Sequence, residues 1–330
     1  MLLDSVRELK SEWSRLLLTA AARPRVAHTM AFEAQRLQGV RSAPTLALGV
    51  APGKDGGKDF RLAVRLQRRS ASAALHLDEL STRSRGEIDV RYVGRIHKRT
   101  WFEDRHRPIQ MGTSIGHFRI TAGTLGAFVT GPKDTVRILS NNHVLADENR
   151  GAKGDAILQP GAIDGGLKKP DRVGGLDRFV NLKIAGTNAI DVAVATIDEG
   201  IETKIGVLRG SRTKVAGVAP EDATIELVEK WGRTTGHTRG RVTAFELDNV
   251  VVGYEIGHLR FDGQIEIEAA GAKPFSEGGD SGSLILTAGE HLGVALLFAG
   301  SQTGGRRNLG LTYANPISPV LQALKIDLLA

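Results

Sequence analysis

The chain has 330 residues, 41% of them hydrophobic and 25% charged, with a formal net charge of +7. It contains no cysteine, which excludes disulfides, zinc-thiolate sites and thiol nucleophiles. No apolar run reaches the roughly 18 residues that a membrane helix needs, so no membrane partner is expected. The opening segment Met1–Lys10 carries acids early and lacks an apolar core, a poor secretory signal. Together with the absence of cysteine it leads us to expect a cytoplasmic protein. Residues 1–110 hold 21 Lys/Arg against 12 Asp/Glu, so the whole basic surplus lies in that third. A solvated basic face is the preferred reading. A nucleic-acid-associated role is kept as an alternative, although no zinc-finger, helix-turn-helix or RNP motif supports it.

In chain order, Leu2, Val6, Leu9, Trp13 and Leu16-Leu17 recur at three- and four-residue steps and predict a helix, which Pro24 interrupts. A second helical stretch is expected from His28 to Leu37. Thr45–Val50, Phe60–Leu66 and Glu87–Val93 read as strands. Between the first two, Pro52–Lys58 is a loop that lacks the spacing of a phosphate-binding loop. These elements predict a small α/β or α+β domain over 1–110, of undisclosed role. The Arg- and His-rich stretch His97–Pro108 is expected to be a linker. From Phe118 onward short strands alternate with glycine-rich turns, as in a β-barrel domain covering 111–330. Gly161–Gly175 reads as a long loop, and Pro319–Leu328 as a terminal helix.

Three segments of this second domain carry chemistry. Ile138-Leu139-Ser140-Asn141-Asn142-His143 is an apolar strand running into a turn with a histidine. Asn188-Ala189-Ile190-Asp191-Val192-Ala193 starts a strand with an aspartate. Gly278-Gly279-Asp280-Ser281-Gly282-Ser283 is a serine held between glycines. Each alone has a plainer explanation: an exposed or structural histidine, a turn aspartate, a flexible loop. Their order and gaps, 48 residues from His143 to Asp191 and 90 from Asp191 to Ser281, argue otherwise. Nucleophilic acyl transfer needs a serine, a base to take its proton and a carboxylate to orient that base.

The three segments resemble those of trypsin-like serine peptidases, whose chymotrypsin template runs His, Asp, Ser with gaps of about 45 and 93. The α/β-hydrolase pattern does not fit, because the second glycine of its G-x-S-x-G elbow would fall on Ser283. The resemblance is to the disulfide-free bacterial branch, covers roughly Gly112–Leu328, and extends to Lys230-Trp231-Gly232-Arg233-Thr234-Thr235-Gly236. The plant narrow-leaf protein is similar as a distant relative. The resemblance implies a mainly β fold, a chymotrypsin-like double β-barrel. It also implies a serine endopeptidase acting on protein or peptide substrates through an acyl-enzyme, without cofactor or metal. His143 would be the base, Asp191 its orienting acid and Ser281 the nucleophile, with the amides of Gly279 and Ser281 as oxyanion hole. Asp280 would need an internal cation or would brace the loop, because no activation-cleavage motif precedes the barrel. Phe275, Phe298 and Gly300 are expected around the primary substrate pocket, which would favour a medium apolar side chain. A catalytically weak or inactive scaffold is the alternative within the same fold. A homo-oligomer is left open.

Overall fold

The computed structural model describes residues 1–22, 46–53, 59–66, 71–93, 100–131, 134–209, 214–221, 223 and 225–330. The helix expected at His28–Leu37, most of the loop Pro52–Lys58 and the start of the expected linker lie outside them. The chain divides into two compact units, Met1–Lys98 and Arg99–Ala330.

In the first unit, helix α1 (Leu3–Ala22) is followed by β1 (Leu46–Pro52) and β2 (Phe60–Leu66), an antiparallel pair, then α2 (Ala71–Arg83) and β3 (Ile88–Tyr92). β3 lies parallel to β2. A parallel neighbour needs a crossover connection, and α2 supplies it. That helix was not foreseen, because its sequence, ASAALHLDELSTR, has only a weak apolar stripe. Val6 and Trp13 on α1 meet Leu62, Val64 and Leu66 on β2 and Leu80 on α2 in one small core. The expected helix–strand domain is thus of α+β character.

The second unit begins earlier than expected. Arg107 and the amide of His106 bond the side chain of Gln159. β4 (Ile109–Gln110) is fully integrated, with Ile109 completely buried. The Arg/His-rich stretch reads as a linker only because its polar groups find their partners far away in sequence.

A six-stranded ring follows. β5 (Ser114–His117) pairs with β6 (Gly123–Thr124), which runs on through Leu125 and Gly126 into β7 (Ala127–Thr130). β7 pairs with β8 (Val136–Ser140), which leads into the short helix α3 (Asn142–Leu145). β9 (Ala156–Leu158) lies between β5 and β10 (Arg172–Phe179). After β11 (Thr187–Asn188), β12 (Ala193–Ile197) pairs with both β10 and β8 and completes the circuit. Ala193, Val194 and Ala195 of β12 are all buried, so this stretch of the strand is covered on both faces. β13 (Thr203–Lys204) pairs with β4.

The second ring consists of β15 (Leu227–Gly232), β16 (Gly236–Leu247), β19 (Gln264–Ala269), β20 (Leu284–Thr287), β21 (Leu292–Gly300) and β22 (Leu311–Pro316). It closes through β21–β22, with β14 (Gly217–Val218) along its edge. β17 (Val250–Tyr254) and β18 (Gly257–Phe261) form a hairpin outside the ring, and β18 pairs with β11. Helix α4 (Ile317–Leu324) and β23 (Asp327–Leu328) end the chain, β23 pairing back onto β7. The mainly β double barrel is therefore present. One core runs through both rings, joining Leu125 and Leu139 to Leu284 and Leu296. Among the described residues no helix is long and apolar enough to cross a membrane.

Candidate active site

His143 is in the first turn of α3, where the leading amides lack intrahelical acceptors. Asn141 precedes the helix but makes no side-chain cap. Asp191 does that work from the strand start opposite: its Oδ1 accepts the amides of Asn142 at 2.6 Å and His143 at 3.3 Å. Its Oδ2 accepts His143 Nδ1 at 2.6 Å. One carboxylate thus caps the turn and orients the imidazole. Asp191 is fully buried, and its backbone is held on both sides: Asn141 donates to its carbonyl and its amide donates to Asn315 Oδ1. Asn142 reaches the other way, donating to Asn149 Oδ1 and the carbonyl of Val180. The two asparagines before the histidine therefore each have a separate structural job. Burial disfavours a charged His143, yet the Asp191 charge and hydrogen bond outweigh it and raise its pKa above the ordinary value.

Ser281 lies on the far side of the seam. Its carbonyl accepts the amide of Thr124 at 2.8 Å, and Thr124 Oγ1 donates to the carbonyl of Gly279 at 2.9 Å. Thr124 belongs to the first ring, so β6 holds the serine loop of the second. A Cβ placed on Gly123 would meet both Ser281 O and the side chain of Val144, the residue after His143. The serine loop and the histidine turn therefore share one neighbour. Gly279 and Gly282 have φ of +98° and +91°, and a Cβ on Gly282 would collide with Ser140 Oγ. Only glycine fits both requirements. Among the described residues the Ser281 hydroxyl and the amides of Gly279 and Ser281 have no hydrogen-bond partner, and His143 Nε2 is not bonded to Ser281 Oγ. Such contacts in unliganded sites commonly tighten only with substrate.

Asp280 finds the internal cation. Its Oδ2 is 3.3 Å from Lys230 Nζ, both side chains being fully buried. Lys230 also donates to Thr235 Oγ1 and to the carbonyl of Gly236 at 3.3 Å, so each of its three protons has an acceptor. Asp280 further accepts the amides of Thr234, Thr235 and Glu277 and the Thr235 hydroxyl. Burial lowers the Lys230 pKa, opposed by Asp280.

The expected pocket needs correction. Ser281 opens onto a cavity of about 420 Å³ lined by Ser276, Glu277, Ala299, Gly300, Gln302 and Leu309, among others. Gly300 is among its lining residues, while Phe275 and Phe298 are not. Phe275 instead belongs to the second ring's core, and Phe298 packs on Phe261 with ring centroids 4.7 Å apart. Phe275 lies in a bend outside any strand and Phe298 turns toward the β17–β18 hairpin; both are buried, where their apolar area is worth more than beside a polar cavity. The expectation of a medium apolar side chain loses both aromatic walls with them. Sequence reasoning missed Thr124 and Tyr254, whose hydroxyl donates to Asp191 Oδ2 at 2.6 Å. Neither carries a local motif. Among the described residues no group of three or more His, Asp or Glu is arranged to hold a metal ion.

No family model and no curated protein sequence matches the chain. In structure it is similar to Cellulomonas bogoriensis chymotrypsin, at 22% identity and TM-score 0.45, over 67% of this chain and 98% of that one. It is likewise similar to Thermobifida fusca protease A, at 21% identity and TM-score 0.46, over 67% and 97%. A Nocardiopsis protease matches at 18% identity and TM-score 0.47, over 67% and 99%.

Proposed function

We propose that the chain is a serine endopeptidase using His143, Asp191 and Ser281. The observation that carries this reading is the buried Asp191 carboxylate on His143 Nδ1 at 2.6 Å, with an unpartnered serine hydroxyl on the loop that shares Gly123 as neighbour. In the reaction His143 Nε2 takes the Ser281 proton as Oγ attacks the peptide carbonyl, then returns it to the leaving amine. The same base activates water to release the acyl group. Asp191 keeps the Nδ1 proton in place and stabilises the imidazolium without becoming protonated. The free amides of Gly279 and Ser281 receive the oxyanion, where one such donor is worth roughly 10²–10³ in rate. The substrates are proteins or peptides.

Labelling with a fluorophosphonate probe tests this directly. The unaltered chain is expected to react covalently, and Ser281→Ala and His143→Ala are not. Equal labelling of the chain and Ser281→Ala would refute the assignment. A folded chain without label or peptide hydrolysis would favour the inactive scaffold.

A further inference from the structure

Asp191 Oδ2 is shared by two donors, and only one of them is His143. The other, Tyr254 OH, comes from the end of β17 at the same 2.6 Å. We propose, resting on the peptidase reading above, that Tyr254 is a positioning residue of the site, holding Asp191 and through it the reactive histidine.

Four contacts bring the tyrosine there. Glu148, in the turn after α3, accepts the amides of Glu255 and Ile256 at 3.1 and 3.0 Å, clamping the hairpin tip. Arg150 pairs with Glu255 at 2.9 Å across the same joint. The Tyr254 ring meets the His143 ring edge-on, with centroids 5.8 Å apart, and stacks on Phe261. The turn that offers Glu148 has Asp147, Glu148 and Asn149 all at positive φ, 49°, 51° and 71°. Non-glycine residues adopt this conformation at a cost; Asn149 offsets it by bonding Asn142 and Leu182.

The chemistry follows from the count of donors. With neutral His143, Oδ2 receives Nδ1–H and the phenol O–H, in a place with no solvent. Burial, then the Asp191 charge, pushes the Tyr254 pKa well above the usual phenol value, so the hydroxyl stays a donor. Removing it leaves an anionic oxygen under-satisfied. The imidazolium compensates for that loss better than neutral imidazole does, so the His143 pKa must rise. Asp191, Tyr254 and Glu148 are the ionisable groups facing His143 from the three elements around it.

The test is Tyr254→Phe, which keeps the ring and its packing, alongside 3-fluorotyrosine incorporation, which strengthens the donor and is practical with only three tyrosines in the chain. The His143 pKa is read by side-chain NMR. We expect it to rise in Tyr254→Phe and to fall with fluorotyrosine. We further expect kcat to drop about 10- to 100-fold at unchanged KM in Tyr254→Phe, the usual worth of a hydrogen bond to a buried charge. Absence of movement in either titration would reduce Tyr254 to packing and overturn the proposal. The titrations need no turnover. A chain that neither labels nor hydrolyses would therefore defeat the peptidase reading while the tyrosine's role was still decided.

Discussion

Lys230→Met removes the cation beneath the serine loop and leaves a methionine of similar length in its place. Deleting one partner of a buried ion pair typically costs about 3–5 kcal/mol, because the other charge is left uncompensated. Here three backbone amides and the Thr235 hydroxyl still hold Asp280, which argues for the low end, about 3 kcal/mol. For a unit of this size that corresponds to a fall of about 6–12 °C in Tm. Activity should suffer separately. The carboxylate fixes the loop from which the Gly279 and Ser281 amides project, so a slack loop should lose roughly 10²-fold in kcat or more. Urea unfolding and active-site titration measure the two effects independently. Lys230→Met/Asp280→Asn should recover part of the stability, since no unpaired charge remains, though Asn cannot accept every donor now aimed at Asp280. A single variant within about 0.5 kcal/mol of the parent and within threefold in kcat would refute the bracing argument.

Asp191→Asn should lower kcat by up to roughly 10⁴, since the amide favours the wrong imidazole tautomer; full activity would require another orienting acid. The acid limb of kcat/KM should fall above the ordinary histidine value of 6.5, because the His143 pKa is raised and the reaction needs neutral imidazole. By linkage, the stability that His143 adds is complete below pH 6.5 and disappears as pH rises through its folded-state pKa, so urea titrations at pH 5.5 and 9 should show the loss. Thr124→Val removes the bonds to Gly279 O and from the Arg233 amide, and should cost about 1–3 kcal/mol with a fall in kcat; an unchanged kcat would discount the seam contact. A chain beginning at Arg99 should fold alone, whereas one beginning at Gly112 loses the buried Ile109 and Met111, at roughly 2–5 kcal/mol each, and should be unstable by circular dichroism.

The three residues of the proposed triad were legible because local chemistry forces local signatures. A tight turn that points amides into one space needs glycines beside Ser281, and a histidine at the end of an apolar strand needs a turn. What was not legible depended on folding at a distance. Thr124 and Tyr254 are ordinary strand residues that reach the candidate site only when the first ring and the β17–β18 hairpin carry them 157 and 63 positions across the sequence, to Ser281 and Asp191 respectively. Lys230 was visible within a recognisable segment, but its burial depends on the β15–β16 pairing. Phe275 and Phe298 were misjudged for the complementary reason. On β21 the neighbours Leu297 and Ala299 line the cavity while Phe298 turns to Phe261, and Phe275 lies in the bend after β19, where no strand pattern announces its direction.

Thr124 has a mechanical consequence. Its amide and hydroxyl donate into the serine loop, while its carbonyl accepts Ser140 Oγ in the first ring. Sliding of one barrel over the other would therefore load the serine loop first, since these bonds are short and directional and the surrounding apolar contacts can slip. A binding event that tilts either barrel, even far from the cavity, would be transmitted to Ser281 as a change of angle and, under the proposed function, as a change of rate.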